Sequence, residues 1–145
     1  MLLAVAALAG CGGDDDDDGD SGGSGNEARP SETILADAGL EICGEASDQI
    51  AQSIGEEGVQ NVQAFAVAKN CGGRTTSPNT IVIFQYDSIE SRDAAANVAS
   101  NALEDAVVMT SGALLMVSAG PDAETNADAL GQAYTDSTGS PVETV

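Results

Sequence analysis

The sequence predicts an α+β two-layer sandwich, in which an antiparallel sheet of four to five strands carries helices on one face. Two observations lead to this prediction. Segments in which apolar residues alternate with polar ones are interspersed with segments whose apolar residues recur at helical spacing. A strand-strand-helix pattern also occurs twice in succession, over residues 59–103 and 105–134.

The first part of the domain, which we place at residues 29–145, combines short elements. Apolar residues at helical spacing predict a short helix with Ser31 as its N-cap, ending at Gly39. Larger apolar residues occupy every second position at the start of residues 40–44, which predicts a short strand. Residues 46–54 are apolar on one side only, which indicates a second short helix.

Two strong strand patterns follow. Residues 59–69 contain no Gly or Pro, and residues 80–86 read Thr-Ile-Val-Ile-Phe-Gln-Tyr, a composition typical of strands. Residues 70–79 between them hold two Gly and one Pro, which predicts a loop. We therefore expect a hairpin.

The second part predicts a helix, another hairpin and a last helix. Asp87 and Glu90 have the spacing of a capping box, with Asp87 as N-cap. Apolar runs at 106–109 and 113–118 flank Thr110-Ser111-Gly112 and predict two paired strands. The last helix, residues 120–134, has an apolar face made by Ala123, Ala127, Leu130 and Tyr134.

The tail from Thr135 is polar, so we expect it to fray. The ferredoxin-like plait is the nearest common architecture for two consecutive strand-strand-helix units. This analogy of pattern implies no activity.

The charge balance disfavours one class of partner. The chain has 24 acidic and 4 basic residues. Residues 1–28 contain seven of the acids, which leaves residues 29–145 with a net charge of −13. Binding to nucleic acid depends on clustered Lys and Arg, so we expect no nucleic-acid partner. Adsorption to anionic lipid is disfavoured for the same reason.

The N-terminus carries the pattern of an export signal. Residues 2–9 are Leu, Val and Ala throughout, too few to span a bilayer, which takes about 20 apolar residues. A short apolar stretch that ends in small residues is typical of a secretory signal. No other segment approaches spanning length, so we expect no transmembrane span.

Leu8-Ala9-Gly10-Cys11 resembles the lipobox of bacterial lipoproteins, although no basic residue precedes Arg29. The resemblance implies that residues 1–10 are a signal peptide and that Cys11 carries a diacylglyceryl group after cleavage. It also implies a membrane-anchored, extracytoplasmic location in the cell envelope. Two acyl chains hold a protein stably at a membrane.

Residues 11–28 predict a disordered linker behind that anchor. Gly, Ser and Asp dominate the segment, and no bulky apolar residue offsets the entropy of ordering it. Asp14–Asp18 are open to interpretation as a calcium site. A solvated spacer is the favoured interpretation, because calcium needs oxygens held in a fixed cage.

Cys43 and Cys71 predict one disulfide, as expected for a pair of cysteines in an exported domain. The alternatives are a metal site and a redox pair. Metal sites usually add further Cys or His ligands, and the chain has no His. Redox pairs usually have C-x-x-C spacing, which is absent from the sequence.

Two acidic pairs and one arginine are candidate site residues. Glu56-Glu57 and Glu104-Asp105 are interpreted as solvated helix ends rather than catalytic carboxylates. Arg74, in a glycine-containing loop, is a candidate contact residue, although an ordinary exposed loop is favoured.

Asp122, Glu124, Asn126 and Asp128 alternate as calcium ligands do. Ala127 and Ala133 occupy the positions where an EF-hand needs Gly and Glu. An acidic first helical turn is therefore the favoured interpretation.

The sequence thus predicts a lipid-anchored protein with no catalytic residue, cofactor or metal. The favoured function is a non-catalytic binding or interaction domain, with an unknown envelope protein as its partner. A carrier of a small ligand or a cation such as calcium is the alternative. A carboxylate hydrolase ranks far behind both, because the usual acid–base residue, His, is missing.

Overall fold

The structure, a computed structural model, describes residues 31–145. Within this range the elements are α1 (Ser31–Asp37), β1 (Glu41–Glu45), α2 (Gln49–Ile54), β2 (Val59–Ala68), β3 (Asn79–Tyr86), α3 (Ile89–Ala102), β4 (Ala106–Ser111), β5 (Leu114–Ala119), α4 (Ala123–Thr138) and β6 (Glu143–Thr144). The predicted signal peptide, Cys11 and the linker at 11–28 lie outside the described residues.

The six strands form one antiparallel sheet in the order β1-β2-β3-β5-β4-β6. Both predicted hairpins are present, and they join through β3 and β5 at the middle of the sheet. The α+β class is confirmed. The sheet is wider than the predicted four to five strands, and the ferredoxin-like arrangement stays a prediction.

The additional edge strand comes from the tail that was expected to fray. Helix α4 continues to Thr138 and ends at Gly139, whose left-handed backbone suits glycine. Strand β6 then pairs with β4, and the Val145 amide donates to the Val108 carbonyl at 2.9 Å. These backbone bonds give secondary structure to a polar segment that buries little side-chain surface.

The helices cover both faces of the sheet. One core, here the α1/α4 core, joins α1 and α4 to the sheet through Ile34, Leu35, Leu40, Phe65, Val67, Ile81, Ile83, Met109, Met116, Ala127, Leu130, Ala133 and Tyr134. The other, the α2/α3 core, lies on the opposite face and contains Ile54, Val82, Phe84, Tyr86, Ala95, Ala96, Ala99, Val108, Leu115 and Val117.

The two-layer prediction, with helices on one face, was therefore wrong. Strand β3 shows the reason: Ile81 and Ile83 belong to the α1/α4 core, whereas Val82 and Phe84 belong to the α2/α3 core. Successive residues of a strand point to opposite faces, so a continuous apolar run needs cover on both sides.

Helix α3 begins one residue later than predicted. Ser88, in an extended backbone conformation, is the N-cap, and its hydroxyl accepts a hydrogen bond from the Ser91 amide at 3.1 Å. Asp87 precedes the cap. Its amide donates to the Gly58 carbonyl at 2.9 Å, which ties it to the turn before β2.

This cap assignment is testable with two neighbouring variants. We expect Ser88→Ala to lower the free energy of unfolding by about 1 kcal/mol, because an amide of the first turn loses its acceptor. Asp87→Ala is the matched control and should change it by less than about half of that amount. Urea unfolding followed by circular dichroism measures both. A larger effect of Asp87→Ala would instead support a capping box in which Asp87 is the N-cap.

Candidate functional site

A cavity of about 240 Å³ lies between helices α1 and α4 and the middle strands β2, β3 and β5. Its floor is aliphatic: Ile34 comes from α1, Ile83 from β3, Met116 from β5 and Leu130 from α4, and all four are buried. Ile83 and Met116 are direct cross-strand partners. The floor is thus formed by buried side chains of the α1/α4 core.

Amide side chains line the mouth of the cavity. Asn61 on β2 and Gln85 on β3 are direct cross-strand partners, and both are exposed. Gln63 lies two residues beyond Asn61 on the same face, opposite Ile83. The Ser31 hydroxyl donates to its Oε1 at 2.6 Å. The lining therefore changes from polar to apolar along one face of the sheet.

Tyr134 brings a buried phenol to the α4 wall of the cavity. The residue is 8% exposed. Burial raises the pKa of Tyr134 above its usual value, and this effect exceeds the opposing one of its hydrogen bond with Ser111. Tyr134 is therefore a neutral hydrogen-bonding group at physiological pH.

Within residues 31–145, no Lys or Arg side chain lines the cavity. Among its described lining residues, Glu32 is the only charged one, and it lies exposed at the N-terminus of α1. The other polar lining groups are three amides, one hydroxyl and a phenol around an aliphatic floor. Few polar groups in a mainly apolar lining are typical of ligand pockets in general.

The Cys43–Cys71 disulfide is present, as predicted, with 5.4 Å between the Cα atoms. Cys43 lies where the pairing of edge strand β1 with β2 is irregular, and Cys71 lies in the loop after β2. The Cys71 amide also donates to the Glu41 carboxylate at 2.6 Å. The bond therefore fastens the sheet edge to that loop.

The Arg74 side chain forms hydrogen bonds within the same loop. Its Nε donates to the Cys71 carbonyl at 2.9 Å, and its Nη2 donates to the Asn70 carbonyl at 3.3 Å. These bonds hold the turn that carries Cys71, which favours the interpretation as an ordinary structured loop.

The two acidic pairs lie at exposed positions. Glu56-Glu57 follow α2, and Glu104-Asp105 lie between α3 and β4. Glu56 and Glu57 border a second groove, between α2 and α3, whose lining includes Ile54 and the 44% exposed Val98.

The alternating residues of α4 face different surroundings. Asp122 accepts a hydrogen bond from the Asn79 amide group at 2.9 Å, and Asn79 Oδ1 accepts from the Asp122 backbone amide. Asn126 is buried, whereas Glu124 and Asp128 are exposed. Across residues 31–145, no group of three or more His, Cys, Asp or Glu side chains is arranged to hold a metal ion.

No helix in the described part of the chain is long and apolar enough to cross a membrane.

Sequence reasoning missed the cavity and its amides. The available signal was that Asn61, Gln63 and Gln85 alternate in step with the core residues Phe65 and Ile83 and so share their face of the sheet. Placing Asn61 beside Gln85 requires the β2–β3 register, which the ten-residue loop at 70–79 did not reveal.

Neither a protein-family profile, nor a curated protein, nor a solved structure matches this chain.

Proposed function

We propose that the chain is a lipid-anchored, extracytoplasmic binding protein without catalytic activity, and that the cavity between α1 and α4 is its binding site. The observation that carries the proposal is the buried aliphatic floor beneath a rim of hydrogen-bonding groups, of which only Glu32 is charged among the described residues. Between the two alternatives left by the sequence, this cavity supports the small-ligand carrier more than the protein-interaction domain.

The anchor rests on the resemblance of Leu8-Ala9-Gly10-Cys11 to a lipobox. In a bacterial host that processes lipoproteins, we expect the mature chain to begin at Cys11 and to carry acyl groups. The Cys11→Ser chain should leave the membrane fraction. Intact mass and fractionation measure both results, and an unmodified Cys11 in the membrane-fraction protein would contradict the anchor.

The binding site is testable with Nile red, an uncharged dye that fluoresces in apolar surroundings. We expect it to bind the chain and to lose binding in Leu114→Arg, because Leu114 is a half-buried cavity residue on β5. Val98→Arg is the matched control: it places the same charge in the groove between α2 and α3. Binding that survives Leu114→Arg and disappears in Val98→Arg would move the site to that groove.

A further inference from the structure

We propose that this cavity selects single-chain amphiphiles with an uncharged hydrogen-bonding head group and discriminates against carboxylates. The inference rests on the proposed function, because it assigns a ligand class to the same cavity. Its basis is the order of the lining groups, their hydrogen-bonding state and their charge.

The order of the lining groups fixes the orientation of such a ligand. Ile83 and Met116 lie side by side and buried, and Gln85 and Leu114 form the next cross-strand pair toward the mouth. An aliphatic chain that enters first reaches the floor at Ile83 and Met116, which are already buried, so the main favourable contribution is the burial of the chain's own apolar surface. The head group then remains level with Gln85.

The amides at the mouth match an uncharged head. Within residues 31–145, neither the Asn61 nor the Gln85 side chain has a hydrogen-bond partner, and each amide offers both donors and an acceptor. A hydroxyl, ester or amide head can use both functions. A carboxylate accepts hydrogen bonds and cannot donate, so the amide oxygens beside it gain no partner.

Charge adds to this discrimination. The only charged residue of the described lining is Glu32, which has the sign of a carboxylate ligand. The basic side chains of Arg74 and Arg92 are held elsewhere, Arg74 in its own loop and Arg92 against Asp93 and the Gly112 carbonyl. Among the described lining residues a carboxylate head finds no counter-ion, which makes its transfer from water unfavourable.

The test uses two ligands that differ in the head group alone, 1-decanol and decanoate, as competitors of Nile red. The protein is the full chain with Cys11→Ser, so that no acyl group of its own competes. At about pH 8, where decanoate is ionised, we expect decanol to displace the dye at a concentration about tenfold lower than decanoate does.

A charge placed at the mouth should change this preference. We expect Gln85→Lys to raise the affinity for decanoate about tenfold, because the ammonium supplies the missing counter-ion. Gln60→Lys is the matched control: it adds the same charge at an exposed β2 position outside the cavity lining, and it should leave the preference for decanol unchanged.

Each outcome separates the inference from the proposed function. Equal displacement by both ligands would overturn the head-group selectivity and leave the cavity as a binding site. Dye binding that depends on Leu114 but resists both competitors would overturn the amphiphile class. Dye binding unaffected by Leu114→Arg would overturn the proposed site itself.

Discussion

The Cys43→Ser/Cys71→Ser chain is expected to unfold with a free energy about 3–4 kcal/mol below that of the parent chain. The two cysteines are 28 residues apart in sequence, and removing the bond lets the unfolded chain explore conformations that the closed loop forbids. The total stability of a domain is about 5–15 kcal/mol. The expected loss is thus a large fraction of the free energy of unfolding of a domain.

Urea unfolding followed by circular dichroism measures this effect, because the chain has no Trp to report by fluorescence. Cys11→Ser is the matched control, since it replaces the third cysteine and leaves the disulfide intact. Dithiothreitol should shift the urea midpoint of the parent and of Cys11→Ser, and it should leave the double variant unchanged. A double variant with the parent's midpoint would show that the bond contributes little.

The sequence predicted most elements wherever local pattern and burial agree. The apolar face of α4 is an example: Ala123, Ala127, Leu130 and Tyr134 recur at helical spacing, and all four are buried. Strand β6 shows the opposite case. Two exposed residues form it, and only their backbone pairing with β4 defines the strand. Side-chain periodicity carries no such information.

The layer arrangement was wrong for a reason that the sequence itself contains. The run from Ile81 to Phe84 is apolar at every position, which is the mark of a strand covered on both faces. The mixture of helices and strands indicated the α+β class, and it does not by itself say whether the helices cover one face of the sheet or both. The sequence could not predict the cavity, because its lining combines residues from three strands and two helices.

Phe84→Ala is expected to lower the free energy of unfolding by about 3–5 kcal/mol, the usual loss for truncating a buried aromatic. Phe84 is 1% exposed and packs in the α2/α3 core, where its ring lies 6.1 Å from that of Tyr86. Helix α3 contributes only alanines to this core, namely Ala95, Ala96 and Ala99. Because such short side chains cannot extend into the vacated volume, we expect the loss near the upper end of the range.

Val62→Ala provides the control within the same sheet. Val62 is the direct cross-strand partner of Phe84 on β2, yet it is 42% exposed. Its truncation should lower the free energy of unfolding by less than about 1 kcal/mol, because it removes little buried apolar surface. Urea midpoints of the two variants compare a buried and an exposed member of one pair. Similar losses for both would contradict a core that depends on Phe84, and would mean that the α2/α3 face repacks around the missing ring.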